Sequence, residues 1–231
     1  MSTEYFRIRQ VSSFIELVET PLVDGVNALC WPRALPGDFA EVAARLARGE
    51  EGIHALDEAE LRALPLSAGG RLAVDAMLAD FRLLRDRQLD PVLNYLNGGE
   101  HDEPHAIVAT DVFSWHADRA PVPADTYLCT YFGPTSEGLR NEKAVRRVDD
   151  PATRARLLEL HGGADDEGFR AFLADHCYDL HYAAAPGAQP FSFGHFNLWR
   201  IAIAYPGNPV PPCIHRAPAT SAGETRLLLI S

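Results

Sequence analysis

No segment of this sequence approaches eighteen uninterrupted apolar residues, so no membrane-spanning helix is expected. Positive charge is scarce as well. With 21 basic against 32 acidic side chains the formal net charge is −11, which removes the general attraction that nucleic acid and anionic membranes depend on. The start, Met1-Ser2-Thr3-Glu4-Tyr5-Phe6-Arg7, lacks a basic segment followed by an apolar stretch and a small-residue cleavage site. The expectation is a cytoplasmic protein whose partners are small molecules, with room for a homodimer and with neither nucleic acid nor membrane. Cysteines are few, and Cys30, Cys129, Cys177 and Cys213 stand singly and far apart. Without a C-x-x-C pair they imply neither a zinc knuckle nor a disulfide scaffold, and all four read as buried thiols. Internal repeats and low-complexity tracts are also missing.

What is present fits an ordinary globular chain: 231 residues, 47% hydrophobic and 23% charged, enough for one domain over 1–231 with a sizeable core. About 1–99 reads as a helical buttress plus a first strand, and about 100–231 as a β core with a helical insertion near 151–177. Residues 21–31 look like a strand with a turn in it. From Asp38 the pattern is helical, with Phe39, Val42, Ala43 and Leu46 at three- and four-residue spacing. A second helix is expected over about 67–88, with Leu72, Met77, Leu78, Phe81 and Leu84 as its apolar stripe. There Asp80 and Asp86 interleave with Arg82, Arg85 and Arg87 as a solvated mixed-charge face. Strands are expected at about 105–114, 125–132, 197–205, 211–216 and 225–230, and Pro151 suits the first turn of the inserted helix. Many short strands predict a mainly β fold with flanking helices, a sandwich or barrel rather than a parallel sheet.

The chemistry-bearing residues begin with Trp115-His116-Ala117-Asp118. On an extended segment, residues two apart project to one face, so His116 and Asp118 aim at a common point. By itself the pair is a weak signal, because the same spacing occurs in exposed loops. A distant His215 in Pro211-Pro212-Cys213-Ile214-His215-Arg216 would complete a set of two imidazoles and one carboxylate on one face of an iron(II) ion, leaving the other face open. Arg226, at the head of Leu227-Leu228-Leu229-Ile230, can grip a carboxylate at two points. Strands joined by Pro218 to Glu224 are expected to be antiparallel neighbours, bringing Arg226 alongside His215. Arg216 is the rival, but strand alternation points it away from His215, which favours Arg226. Cys213 reads as packing beside the site, and Trp115 as core. Tyr127, Thr130 and Asn141 are candidates for contact with cosubstrate or substrate, with buried structural hydrogen bonding as the competing reading. His195 is a further pocket candidate. His101, His105, His161, His176 and His181 have no comparable context and stay unassigned.

The H-x-D pair, the late histidine and the following arginine resemble the iron(II)- and 2-oxoglutarate-dependent oxygenases, which fold as a double-stranded β-helix (jelly roll, cupin-like). More locally, Leu128-Cys129-Thr130-Tyr131-Phe132-Gly133-Pro134 and Pro211-Pro212-Cys213-Ile214-His215-Arg216-Ala217-Pro218 are similar to an uncharacterised bacterial family. In that family an L-C-T-Y-x-G-P run follows the H-x-D, and an H-R-S-P run carries the second histidine. The likeness covers roughly 20–231, with Ala217 standing where serine is usual. It implies a jelly-roll core buttressed by a helical N-terminal third, iron on His116, Asp118 and His215, oxygen on that iron, and 2-oxoglutarate on Arg226 or Arg216 with Tyr127 and Thr130. The implied reaction is hydroxylation, desaturation or oxidative ring closure, such as cyclopropane formation, at an aliphatic carbon. Halogenating relatives carry a small residue in place of the carboxylate, so Asp118 disfavours halogenation. The short chain points to a small, amino-acid-like substrate in a biosynthetic pathway. Two alternatives stand beside this: a cupin-type metalloenzyme without 2-oxoglutarate, and a non-catalytic jelly-roll module that binds a metal or a protein partner.

Overall fold

The computed structural model describes residues 5–47, 51–98, 106–221 and 223–231. Its helices begin where the sequence can cap them. Ser13, Asp38, Asp57, Ser67, Asp150 and Asp166 each accept a backbone N–H of the first turn that follows, satisfying donors that helix geometry leaves orphaned.

In chain order the elements are β1 (Ile8–Gln10), α1 (Phe14–Glu19), β2 (Ala28–Trp31), α2 (Phe39–Leu46), β3 (Gly52–Leu56), α3 (Glu58–Ala63), α4 (Ala68–Arg85) and β4 (Val92–Asn97). They continue with β5 (Trp115–His116), β6 (Asp125–Phe132), β7 (Glu137–Leu139), β8 (Ala144–Arg146), α5 (Pro151–His161), α6 (Glu167–Asp175) and β9 (His181–Ala184). The chain ends through β10 (Phe191–Ser192), β11 (Leu198–Ala202), β12 (Ile214–Arg216) and β13 (Thr225–Ile230). About 31% helix and 26% strand among the described residues make this a mixed helix/sheet protein rather than a mainly β one.

Several expectations change. Residues 106–114 are bends and turns, because the Asp111 carboxylate accepts both Phe113 N–H (3.0 Å) and Ser114 N–H (2.9 Å) and folds the chain on itself before β5; residue 105 lies outside the described residues. The inserted helix is two helices, α5 ending on Gly162 in the left-handed region (φ 72°). The late strand starts at Ile214 because Pro211 and Pro212 have no N–H to give a ladder. Among its described residues the N-terminal third holds four strands rather than one.

The strands form two sheets, ordered β1-β2-β11-β6-β13-β4-β3 and β10-β7-β12-β5-β9-β8. Every pairing between named strands is antiparallel except β1 with β2. Alternation along β6 sorts its side chains. Tyr127, Cys129 and Tyr131 join the large core under α2 and α4 with Val42, Met77 and Leu78. Leu128 instead packs with Phe193, Trp199 and Cys213 between the sheets. β12 and β13 belong to different sheets, so they are not the hairpin neighbours expected from their short connection.

Asp80 of α4 is not on the solvated face: it is buried, held by both terminal guanidinium nitrogens of Arg33 and by the Tyr131 hydroxyl (2.8 Å), and it ties the helix to the sheet. Leu72 is exposed and leaves the apolar stripe, while Arg82, Arg85 and Arg87 pair at the surface as expected. Cys30, Cys129 and Cys213 are buried, but Cys177, just past α6, is exposed. No helix among the described residues is long and apolar enough to cross a membrane.

Candidate metal centre

The second sheet sets four residues in one register row: His181 opposite His116, His116 opposite His215, and His215 opposite Gly138. Because neighbours along each strand alternate, this row faces the first sheet while Trp115, Ile214 and Leu139 cluster on the outer side. The position of Gly138 is set by close approach. A Cβ there would lie 2.1 Å from the Phe191 ring, which crosses β7 at that point.

The His116 and His215 rings are 4.5 Å apart between centroids. Asp118 lies just beyond β5, anchored by its carbonyl accepting Ala204 N–H at 2.8 Å. Its Oδ1 is 3.7 Å from His116 Nε2 and its Oδ2 3.8 Å from His215 Nε2. Both separations are too long for hydrogen bonds, so the three atoms face a shared point rather than one another. All candidate ligand atoms lie within 4.8 Å of each other.

The far sides of the ligands are fixed by the protein. His116 Nδ1 sits 2.8 Å from the Ser114 carbonyl, which can only accept, so that nitrogen carries the proton and Nε2 is a bare lone pair. His215 Nδ1 lies 3.4 Å from the Cys213 carbonyl in the same sense. Thr126 donates to Asp118 Oδ2 at 2.5 Å, which orients the carboxylate. Burial, with His215 close by, pushes the His116 imidazole down to about 4. Burial pushes Asp118 up, but His215, the Thr126 hydroxyl and His116 more than offset it and leave the carboxyl below its ordinary range. At neutral pH the set is therefore a neutral His116 imidazole and an ionised carboxylate, the forms that can hold a metal ion.

Arg226 comes from the opposite sheet. It is 2% exposed, yet no carboxylate pairs with it among the described residues. Its Nε donates to the Pro134 carbonyl (2.8 Å) and its Nη2 to Ser136 Oγ (3.1 Å), and burial pushes its pKa down to about 10. Gly133 makes this seat: at φ 80° it turns the chain so that Pro134 faces Arg226, and a Cβ there would meet the Thr225 carbonyl at 2.0 Å. Thr130, opposite Leu228 on β13, is buried with its hydroxyl unpartnered.

The remaining candidates separate from this centre. Arg216 projects outward, pairs with Glu137 (2.8 and 2.7 Å) and lies 4.3 Å from the Trp115 ring centroid, as alternation predicts. Tyr127 is on the helical side of β6, the face opposite Thr126, so it does not reach the metal centre. Asn141 takes the structural role, donating to the Pro212 carbonyl at 2.9 Å, while Asn27 donates to Pro211 at 3.1 Å; together they hold the approach to β12. His195 meets the Gly133 carbonyl (2.7 Å) near Phe39 and Phe196, away from the triad. Burial pushes the Cys213 thiol up to about 12, which suits packing and not ligation. His101 and His105 lie outside the described residues.

Two residues were not legible in the sequence. Ser114 joins His116 to His181, because its Oγ donates to the Asp111 carbonyl (2.9 Å) and is met by His181 Nδ1 at 2.7 Å. The position of Ser114, two before the H-x-D histidine, is the one available signal; the strand register that supplies His181 leaves none. Compared with family models, with curated proteins and with solved structures, the chain matches none.

Proposed function

We propose that this protein is a non-haem iron(II)- and 2-oxoglutarate-dependent oxygenase that acts on an aliphatic carbon of a small, amino-acid-like substrate. The observation that carries this reading is the meeting of two features on facing sheets: the His116–Asp118–His215 group, and a buried guanidinium that no carboxylate of the described chain neutralises. A buried cation without an anion is costly, and a carboxylate ligand would offset that cost. The strand order supports the double-stranded β-helix reading, since β4-β13-β6-β11 of one sheet and β5-β12-β7-β10 of the other give the eight-strand pairing expected of a jelly roll.

Iron(II) with 2-oxoglutarate and oxygen supplies an oxidant strong enough to remove hydrogen from an unactivated carbon. The residues of the chain do the rest. His116 and His215 give Nε2 lone pairs, and Asp118 gives a carboxylate oriented by Thr126. Arg226 binds the distal carboxylate of 2-oxoglutarate through its free N–H groups, and Thr130 donates its unpartnered hydroxyl to the same group. Leu128, Phe193 and Trp199 line the inter-sheet space with apolar surface and keep water out. The buried, unpaired Arg226 favours this reading over a cupin-type metalloenzyme that works without 2-oxoglutarate. Anaerobic titration with iron(II), with and without 2-oxoglutarate, tests it. A weak visible charge-transfer band that appears only with both present is expected, and no band with both present would overturn the assignment.

A further inference from the structure

The inner face of the first sheet is buried along β6 and exposed toward its β3 edge. Strand register lays its side chains out in rows beginning near Thr126, which holds Asp118. In the row next to Thr126, Leu128 stands beside Ile230 and Ile230 beside Val92. Leu128 is 3% exposed and packs with Phe193 and Trp199 between the sheets, whereas Ile230 is 38% and Val92 41% exposed. In the following row Thr130 is buried, its neighbour Leu228 is half-buried, and Ala55 beyond Asn94 is exposed. The row of buried Arg226 runs through half-buried Leu96 to Ile53, which is 67% exposed. Each row begins buried and ends exposed.

The open part of this face is aliphatic apart from Asn94, whose Nδ2 donates to the Val92 carbonyl of its own strand (3.2 Å). Charge enters the inner face of β3, β4 and β13 only through Arg226. By sheet geometry the area from β13 to β3 across the three rows is roughly 10 by 14 Å. Aliphatic surface of that extent gains by being covered. Its first row adjoins Thr126, and the Asp118 side chain that Thr126 orients is itself 31% exposed. A chain lying on this face therefore has one end at the metal centre.

We propose that the substrate carries a long, uncharged aliphatic group that lies over Ile230, Val92 and Leu96 toward Ile53. The inference rests on the oxygenase reading and adds to it the apolar part of the substrate. A short side chain would leave most of the face wet, and a charged tail would sit on apolar surface without a counter-ion. A second copy of the chain is the weaker occupant, because each copy brings a formal net charge of −11 and the two repel.

Calorimetric titration of the full chain, with and without cobalt(II) and 2-oxoglutarate under nitrogen, tests this with three probes. They are L-2-aminodecanoate, the short L-2-aminobutyrate, and L-2-aminosebacate, in which the long chain ends in a second carboxylate. The first is expected to bind about tenfold or more tightly than either of the others, since each of its six extra methylenes is worth up to about fourfold when fully buried. Val92→Asp and Ile230→Asp, both at exposed positions, are each expected to bring 2-aminodecanoate toward the short compound and to leave 2-oxoglutarate binding unchanged. Equal binding of the three probes, tighter binding of the diacid, or indifference to both variants would overturn the proposal. So would sedimentation showing a dimer that Ile53→Asp dissociates, together with equal binding, since the face would then belong to a second copy. A length preference that survives when the iron(II)–2-oxoglutarate band fails to form supports the aliphatic face and removes the cosubstrate reading alone. A band without a length preference does the reverse.

Discussion

His116 and His215 stand directly opposite one another on β5 and β12, their ring centroids 4.5 Å apart and their Nε2 atoms both turned to Asp118. Their spacing is set by sheet pairing and not by flexible loops, so the two imidazoles need no metal ion to gather them.

From this follows the first prediction. His116→Ala, Asp118→Ala and His215→Ala should each abolish iron-dependent turnover while leaving circular dichroism and cooperative melting intact. Succinate formation at the wild-type rate by the His215 variant would remove it from the ligand set.

Arg226 should matter for ligand binding and against stability. Breaking one side of a desolvated charge pair typically costs ~2–5 kcal/mol, so Arg226→Ala is expected to weaken 2-oxoglutarate binding by on the order of a hundredfold, with Arg226→Lys in between and iron affinity alone unchanged. Arg226→Met removes an unneutralised buried charge, and its melting temperature is expected at or above wild type. A fall of many degrees would make the guanidinium a structural support, and an unchanged 2-oxoglutarate dissociation constant in Arg226→Ala would release it from cosubstrate binding.

The Ser114 bridge predicts a non-additive pair. Ser114→Ala and His181→Phe each loosen the support of His116, and partners of metal ligands commonly change affinity by about 10–100-fold. Cobalt(II) titration should find each single variant weakened and the double variant no weaker than the worse single. Additive losses, or an unaltered cobalt spectrum in both single variants, would disconnect His181 from the centre.

The pair formed by Arg33 and Asp80 predicts a stability effect away from the site. Both side chains are buried, and Asp80 also accepts from Tyr131, so Asp80→Ala strands a buried guanidinium at a cost of about 3–5 kcal/mol. Urea unfolding would measure it, and a change under about 1 kcal/mol would mean that water reaches Arg33.

Residue spacing was enough to bring His116 and Asp118 to one face, because a two-residue interval in an extended segment has one geometric outcome. The bounds of β6 and β13 were legible for a similar reason, as both are unbroken β-type runs. The sequence leaves the side of Tyr127 open, because β6 is buried on both faces and carries no polar alternation from which a side could be read. Asp80 looked solvated since its neighbours on α4 are charged, and only the distant Arg33 gives it a buried role. Arg226 was singled out by its place after His215, but the path differs: it reaches inward from the other sheet, a relation that depends on crossing between layers and not on a hairpin. The short strands β7, β8 and β10, two or three residues each, are too brief for any periodicity to register.

That crossing between β12 and β13 sets the proposed ligand anchors on two different layers. Sheets pack face to face at a nearly constant spacing of roughly 10 Å, so the span between metal and guanidinium behaves as a fixed gauge. A keto acid one methylene shorter or longer than 2-oxoglutarate would touch one anchor and miss the other. The cosubstrate would thus be chosen by length, through the thickness of the fold itself.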